Sequence, residues 1–130
     1  MKEGIILLSH GSKSALANQE LLALRKALEE DLKVRVKEAN LQFSKPDFWQ
    51  AVEELVDQNI QRITVVPLFV FAGKHVKADL PSLLAEVRNK YPKITFKTIS
   101  HLAGEVNLLK NLIKIKLNDV SQSNKMNGSI

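Results

Sequence analysis

Gly4-Ile5-Ile6-Leu7-Leu8-Ser9-His10-Gly11-Ser12 decides the fold. Gly4 to Ser9 reads as a strand without polar alternation, the pattern of a strand covered on both faces, as in parallel sheets. The glycine after His10 marks a sharp turn, and a helical period follows. From Leu16 to Leu32, Leu21, Leu24, Leu28 and Leu32 fall on one stripe. Strand, turn and helix form the opening of a βαβ unit.

The alternation repeats outward from there. Val34 to Leu41 reads as a second strand. Ser44-Lys45-Pro46-Asp47 reads as a helix start, with Ser44 as cap and Pro46 in the first turn. That helix runs to about Gln58 and buries Phe48, Val52 and Leu55 or Val56. Ile63 to Phe71 is the strongest strand. Pro67 removes a ladder donor within it, which predicts a bulge or an early strand end. Asp79-Leu80-Pro81 opens a third helix ending near Lys90, and Pro92 breaks the chain before a fourth strand, Ile94 to Ile99. The last helix starts at Gly104 or Glu105 and runs to about Val120. Residues 121–130 are polar and aperiodic, the pattern of a frayed tail. The expectation is one α/β domain over residues 1–120, with a flavodoxin-like four-stranded parallel sheet in the order 2-1-3-4 and helices on both faces.

Composition narrows the function. The chain has 130 residues, 45% hydrophobic and 25% charged, enough for one soluble core. It has no cysteine, which excludes disulfides, thiolate metal sites and thiol nucleophiles. A net charge of +5 favours anionic partners. Only 5% of residues are aromatic and the lysines are scattered, which argues against nucleic acid. No apolar stretch approaches the ~20 residues that span a bilayer. No signal-peptide pattern follows Met1-Lys2-Glu3, so the expected compartment is cytoplasmic.

In an open parallel sheet, loops at the carboxyl ends of strands meet over a crevice at the topological switch point. His10 follows strand one, and His75 follows strand three in Gly73-Lys74-His75-Val76-Lys77-Ala78-Asp79. The order 2-1-3-4 makes these strands neighbours. Two imidazoles there hold a divalent metal or take up protons near neutral pH. Asp79 reads first as a helix cap, and second as an acceptor orienting His75. Lys74 and Lys77 are solvated lysines or partners for a substrate carboxylate. Phe69 reads as core, Phe71 as an apolar wall beside His75, and Trp49 and Tyr91 as helix-packing residues. His101 also follows a strand but lies further from the switch point, a peripheral place. His10-Gly11 is also compatible with a phosphohistidine nucleophile, but Ser9 stands where an arginine would clamp the phosphate.

Ser9-His10-Gly11-Ser12, Phe43-Ser44-Lys45-Pro46, Val65-Val66-Pro67-Leu68-Phe69, Gly73-Lys74-His75-Val76 and Asp79-Leu80-Pro81 together resemble the short, single-domain CbiX/SirB-type class II chelatases. The resemblance covers about Gly4 to Val120. It implies insertion of Co²⁺ first, with Ni²⁺ or Fe²⁺ as the other candidates, into sirohydrochlorin, a tetrapyrrole rich in carboxylates, during cobalamin-type tetrapyrrole biosynthesis. It further implies a homodimer with no permanently bound cofactor, the metal being a substrate. The family's proton acceptor falls on His10, its metal ligands on His10 and His75, and its substrate-contacting segment on Val70, Phe71, Ala72, Gly73, Lys74 and His75. Many relatives carry a Glu-Phe-Ser-Glu-Pro segment where this chain reads Gln42-Phe43-Ser44-Lys45-Pro46. A carboxylate that delivers metal from that segment has no counterpart here, and Lys45 is placed to pair with a substrate carboxylate instead. A carrier that binds ring or metal without turnover is the rival expectation. Because imidazolium neither ligates metal nor accepts a proton, chelation is expected to slow between about pH 7 and pH 5.

Overall fold

A computed structural model describes residues 2–69, 74–99 and 105–126, without the side chains of 74–78 and 121–126. Eight elements alternate: β1 (Glu3–Ser9), α1 (Ala15–Leu32), β2 (Arg35–Asn40), α2 (Phe48–Asp57), β3 (Arg62–Pro67), α3 (Lys74–Lys90), β4 (Thr95–Thr98) and α4 (Val106–Met126). The sheet is parallel throughout, in the order β2-β1-β3-β4. β1 therefore lies between β2 and β3, pairing Leu8 with Ala39 on one side and with Pro67 on the other. This is the expected topology, and its switch point lies between β1 and β3. Among the described residues, no helix is long and apolar enough to cross a membrane.

Because side chains alternate along a strand, each strand serves two faces. Ile6 and Leu8 of β1, Ala39 of β2, Ile63 and Val65 of β3 and Phe96 of β4 pack with α2 and α3 in one core cluster. α2 contributes Phe48, Ala51, Val52 and Leu55, and α3 contributes Leu80, Leu84 and Val87. Val56 is only partly buried, so Leu55 is the residue that α2 turns inward. On the other face α1 packs over the β2 edge, where the Glu29 carboxylate accepts a hydrogen bond from Val36 N (2.8 Å). None of the α1 residues is buried, and Leu24 and Leu32 of the predicted stripe are exposed.

Four element boundaries differ from the sequence reading by three residues or more, each for a local reason. β3 stops at Pro67, the early end that the missing donor predicts; the ladder continues through Leu68 N, which donates to Leu8 O (2.8 Å). The cap of α2 is Asp47, not Ser44. Asp47 Oδ1 accepts from Gln50 N (2.8 Å) while Asp47 N donates to Gln50 Oε1 (2.9 Å), a capping box that Ser44, with Asp47 three residues on, lacks. Pro46 thus precedes the helix, across a cis Lys45–Pro46 bond. α3 begins at Lys74 and runs through Pro81, so Asp79 lies inside the helix and does not cap it. Its buried stripe, Leu80, Leu84 and Val87, already starts before the proline, and that burial opposes the helix-breaking cost of about 3 kcal/mol. α4 continues past Val120 to Met126, since neither glycine nor proline interrupts Val106 to Met126.

Candidate active site at the carboxyl edge of the sheet

His10 leaves the carboxyl end of β1, and two loops stitched together hold it there. Ser9 Oγ donates to Asn40 Oδ1 (2.8 Å) and accepts from Gly11 N (3.1 Å). Asn40, only 2% exposed at the end of β2, donates from both its side-chain amide (3.1 Å) and its backbone N–H (3.0 Å) to Pro46 O. Leu41 N donates to Ser9 O (2.9 Å), and Gln42 N donates to His10 O (3.1 Å). Ser12 O receives Asn18 Nδ2 (3.2 Å) and the Ser44 hydroxyl. The backbone on either side of His10 is thus tied to the β2–α2 loop.

Gly11 makes the close approach possible. It has φ +96°, and a Cβ there would lie 1.6 Å from Gln42 O. Any side chain at this position pushes the two loops apart. The imidazole of His10 is exposed, and its ring lies against Phe69, with centroids 4.1 Å apart and planes tilted by 33°. Phe69 is 3% exposed and belongs to the core, as expected, but it also provides the apolar floor under His10. Ser9, His10, Gly11, Ser12, Asn18 and Leu68 line a depression beside this ring pair.

Phe43 is the second exposed aromatic feature of the edge. Its side chain is 63% exposed, yet its backbone sits at φ +71°, which costs a residue with a Cβ about 1–2 kcal/mol. Lys13 from the β1–α1 loop places its ammonium 5.3 Å from the Phe43 ring centroid. Lys45 is strongly exposed and lies 3.6 Å from an Asp47 carboxylate oxygen. The edge thus carries an imidazole, an exposed ring on a strained backbone and two cations on a cross-braced pair of loops. Such an edge suits a flat, anionic ligand.

The other candidates divide. His75 lies in the first turn of α3, whose preceding strand β3 neighbours β1, but its side chain, like those of Lys74 and Lys77, lies outside the described residues. So do Val70, Phe71, Ala72 and Gly73, and His101. Among the described residues no group of three or more His, Asp or Glu is placed to hold a metal. Sequence reading missed Asn40, Lys13 and Phe43 as contributors to the edge. Asn40 ends a strand that already carries Arg35, Lys37 and Glu38, so nothing in the sequence singled it out, and the pairing of Lys13 with Phe43 had no signal either.

The CbiX family profile matches residues 4–120. This chain belongs to the CbiX family. The sirohydrochlorin cobaltochelatase of Methanocaldococcus jannaschii is 33% identical over 90 residues, which are 68% of this chain and 63% of the relative. That of Sulfolobus acidocaldarius is 30% identical over 107 residues, 82% of this chain and 86% of the relative. The chloroplastic sirohydrochlorin ferrochelatase of Arabidopsis thaliana is 29% identical over 116 residues, 88% of this chain. The chain spans 51% of that relative and 36% of the sirohydrochlorin ferrochelatase of Bacillus subtilis. Among solved structures, a CbiX protein of Marinobacter aquaeolei matches the fold with a TM-score of 0.79 at 22% identity, over 92% of this chain and 98% of its own. The chelatase SirB of Bacillus subtilis subspecies spizizenii, solved with cobalt, gives 0.72 at 27% identity, over 78% of this chain and 44% of its own.

Proposed function

We propose that this chain is a sirohydrochlorin chelatase that inserts a divalent metal, Co²⁺ first, into the tetrapyrrole. The observation that carries the reading is His10: an exposed imidazole on a cross-braced loop, backed by Phe69, at the β1/β3 switch point of a CbiX-family sheet. Cobalt is put first because the cobaltochelatase of Sulfolobus acidocaldarius is close to this chain in length; length alone does not separate the metals, since the cobaltochelatase of Priestia megaterium runs as far beyond this chain as the ferrochelatases do. Nickel stays a candidate, since imidazole ligands suit all three ions.

The ring lies over the edge, with its carboxylates toward Lys13, Lys45, Lys74 and Lys77 and its face toward Phe43. His10 and His75 hold the metal on one face of the macrocycle, and two imidazole ligands bind weakly enough to release it. Two pyrrole N–H protons leave as the metal enters; the His10 nitrogen that the departing metal frees accepts one of them, and solvent water at the exposed edge takes the other. The segment Val70 to His75 contacts the substrate. The metal is a substrate and no cofactor is permanently bound. The protein works in the cytoplasm as a homodimer, in cobalamin-type tetrapyrrole biosynthesis.

Anaerobic absorbance spectroscopy of sirohydrochlorin with Co²⁺, Ni²⁺ or Fe²⁺ tests this directly, because insertion shifts the spectrum. Wild type is expected to accelerate insertion, fastest with Co²⁺, and His10→Ala and His75→Ala are each expected to lower the rate at least tenfold. If wild type binds the ring stoichiometrically but leaves the uncatalysed rate unchanged, the protein is a carrier and the enzyme reading fails. Gln42 and Lys45, in place of acids, then mark the difference from catalytic relatives.

A further inference from the structure

Two exposed lysines reach the carboxyl edge of the sheet from separate loops. Lys13 of the β1–α1 loop lies over the Phe43 ring, 5.3 Å from its centroid, and pairs with no carboxylate among the described residues. Lys45 of the β2–α2 loop is 76% exposed, with Nζ 3.6 Å from Asp47 Oδ2. Asp47 is already engaged, because its Oδ1 caps α2. Ser12 O accepts the Ser44 hydroxyl, and Lys13 and Lys45 are the next residues of the two loops. Gln42 N donates to His10 O (3.1 Å) in the same seam. The bracing that holds the histidine therefore also holds both ammonium groups near it.

The helices leave this charge uncompensated. In a parallel α/β sheet each helix starts where its strand ends, so α1, α2 and α3 all begin along the edge that carries His10. A helix N-terminus bears about half a positive charge, which acids in the first turn offset. None of these three first turns carries an acid. The first acids, Glu20, Glu53 and Asp79, each stand five residues after the helix starts at Ala15, Phe48 and Lys74. A hydrated divalent cation approaching the empty edge meets a field of the wrong sign. A ring bearing several carboxylates meets the right one.

We propose that Lys13 and Lys45 set the order of loading: the tetrapyrrole enters first, and its carboxylates neutralise the two ammonium groups before a metal binds at His10. The inference rests on the chelatase reading for the identity of the ring, and adds which of the two substrates the free protein takes. A divalent ion interacts with each lysine twice as strongly as a single charge does. For charges about one Debye length apart, reversing both lysines is expected to strengthen Co²⁺ binding to the ring-free protein about five- to tenfold at low ionic strength. The same reversal is expected to weaken ring binding by a comparable factor or more.

The test measures the two affinities separately on the full chain, so that no turnover is needed. Calorimetry follows CoCl₂ binding without ring, and fluorescence follows metal-free sirohydrochlorin binding without metal. Wild type is expected to bind the ring about tenfold or more tightly than it binds Co²⁺. Lys13→Glu with Lys45→Glu is expected to move both affinities in opposite directions, as above. Lys13→Gln with Lys45→Gln, which places no acid beside Asp47, is expected to shift each about two- to threefold. Lys13→Arg with Lys45→Arg is expected to keep wild-type values, and circular dichroism checks that each variant folds. In about 0.5 M sodium chloride, where the Debye length is about 4 Å, the shifts are expected to shrink at least by half. A wild type that binds Co²⁺ without ring as tightly as it binds the ring overturns the order. So do folded Glu and Gln variants that leave both affinities unmoved, or shifts that persist undiminished in salt. Insertion that is fast in a protein that loads Co²⁺ first keeps the chelatase reading and refutes this inference. Absent insertion with affinities that still follow the two lysines does the reverse.

Discussion

The two faces of this sheet are built from the same strands and differ in nearly every other respect. On the α2/α3 face, Ile6, Leu8, Val65, Val52 and Val87 are fully buried, and each helix inserts an apolar stripe. On the α1/α4 face, α1 buries no residue completely, α4 exposes its apolar arc, and Thr95 and Lys97 meet solvent. The difference separates the work of the two sides. The first holds the domain together, and its Phe69 supports His10 from below. The second stays more open to solvent. Strand composition follows this division: β4 alternates buried Phe96 with exposed Thr95 and Lys97, the pattern of a strand covered on one face only.

Core truncation gives the largest expected effect on this contrast. Leu8→Ala, at a fully buried position on the α2/α3 face, is expected to cost about 2–5 kcal/mol in urea unfolding. A loss under 1 kcal/mol breaks the contrast, because that face then tolerates cavities like a surface. Asn40→Ala sharpens it at the edge where the faces meet the candidate site. The variant leaves the Ser9 hydroxyl without its acceptor and Pro46 O without the side-chain donor, and is expected to cost about 1–3 kcal/mol. It is also expected to slow metal insertion beyond what the lost folded fraction explains, since Ser9 and Gly11 flank His10. A normal rate per folded molecule means that this network does not position the histidine. The smallest effect belongs to the open face: Leu16→Ala, on a side chain 66% exposed, is expected to stay within about 0.5 kcal/mol of wild type. A larger loss in chemical denaturation shows that α1 is covered in solution.

Much of the fold was legible in the chain, and the candidate site less so. The run Ile5 to Leu8 marked β1, because a strand covered on both sides shows no polar alternation, and the β-branched run Ile63 to Val66 marked β3. Their adjacency, and hence the place of His10, followed from topology rules. Helix starts were harder. Ser44, Asp47 and Asp79 are all cap-forming types, and only the partner three residues on, Gln50 for Asp47, separates a cap from a loop residue. Phe69 was legible as core but not as the floor of His10, because that contact joins two strands far apart in sequence.

By itself the sequence determined the alternation of elements, the parallel sheet, the absence of thiol chemistry and the place of His10 after the first strand. These follow from local periodicity, residue type and position after a strand. Only the tertiary structure decided that Asn40 and Ser9 brace the histidine loop, that Phe43 stands exposed at a strained φ with Lys13 over its ring, and that α4 exposes apolar side chains. The physical reason is the same in each case. Periodicity states which face of an element is apolar, but what covers that face is set by surfaces distant in the chain.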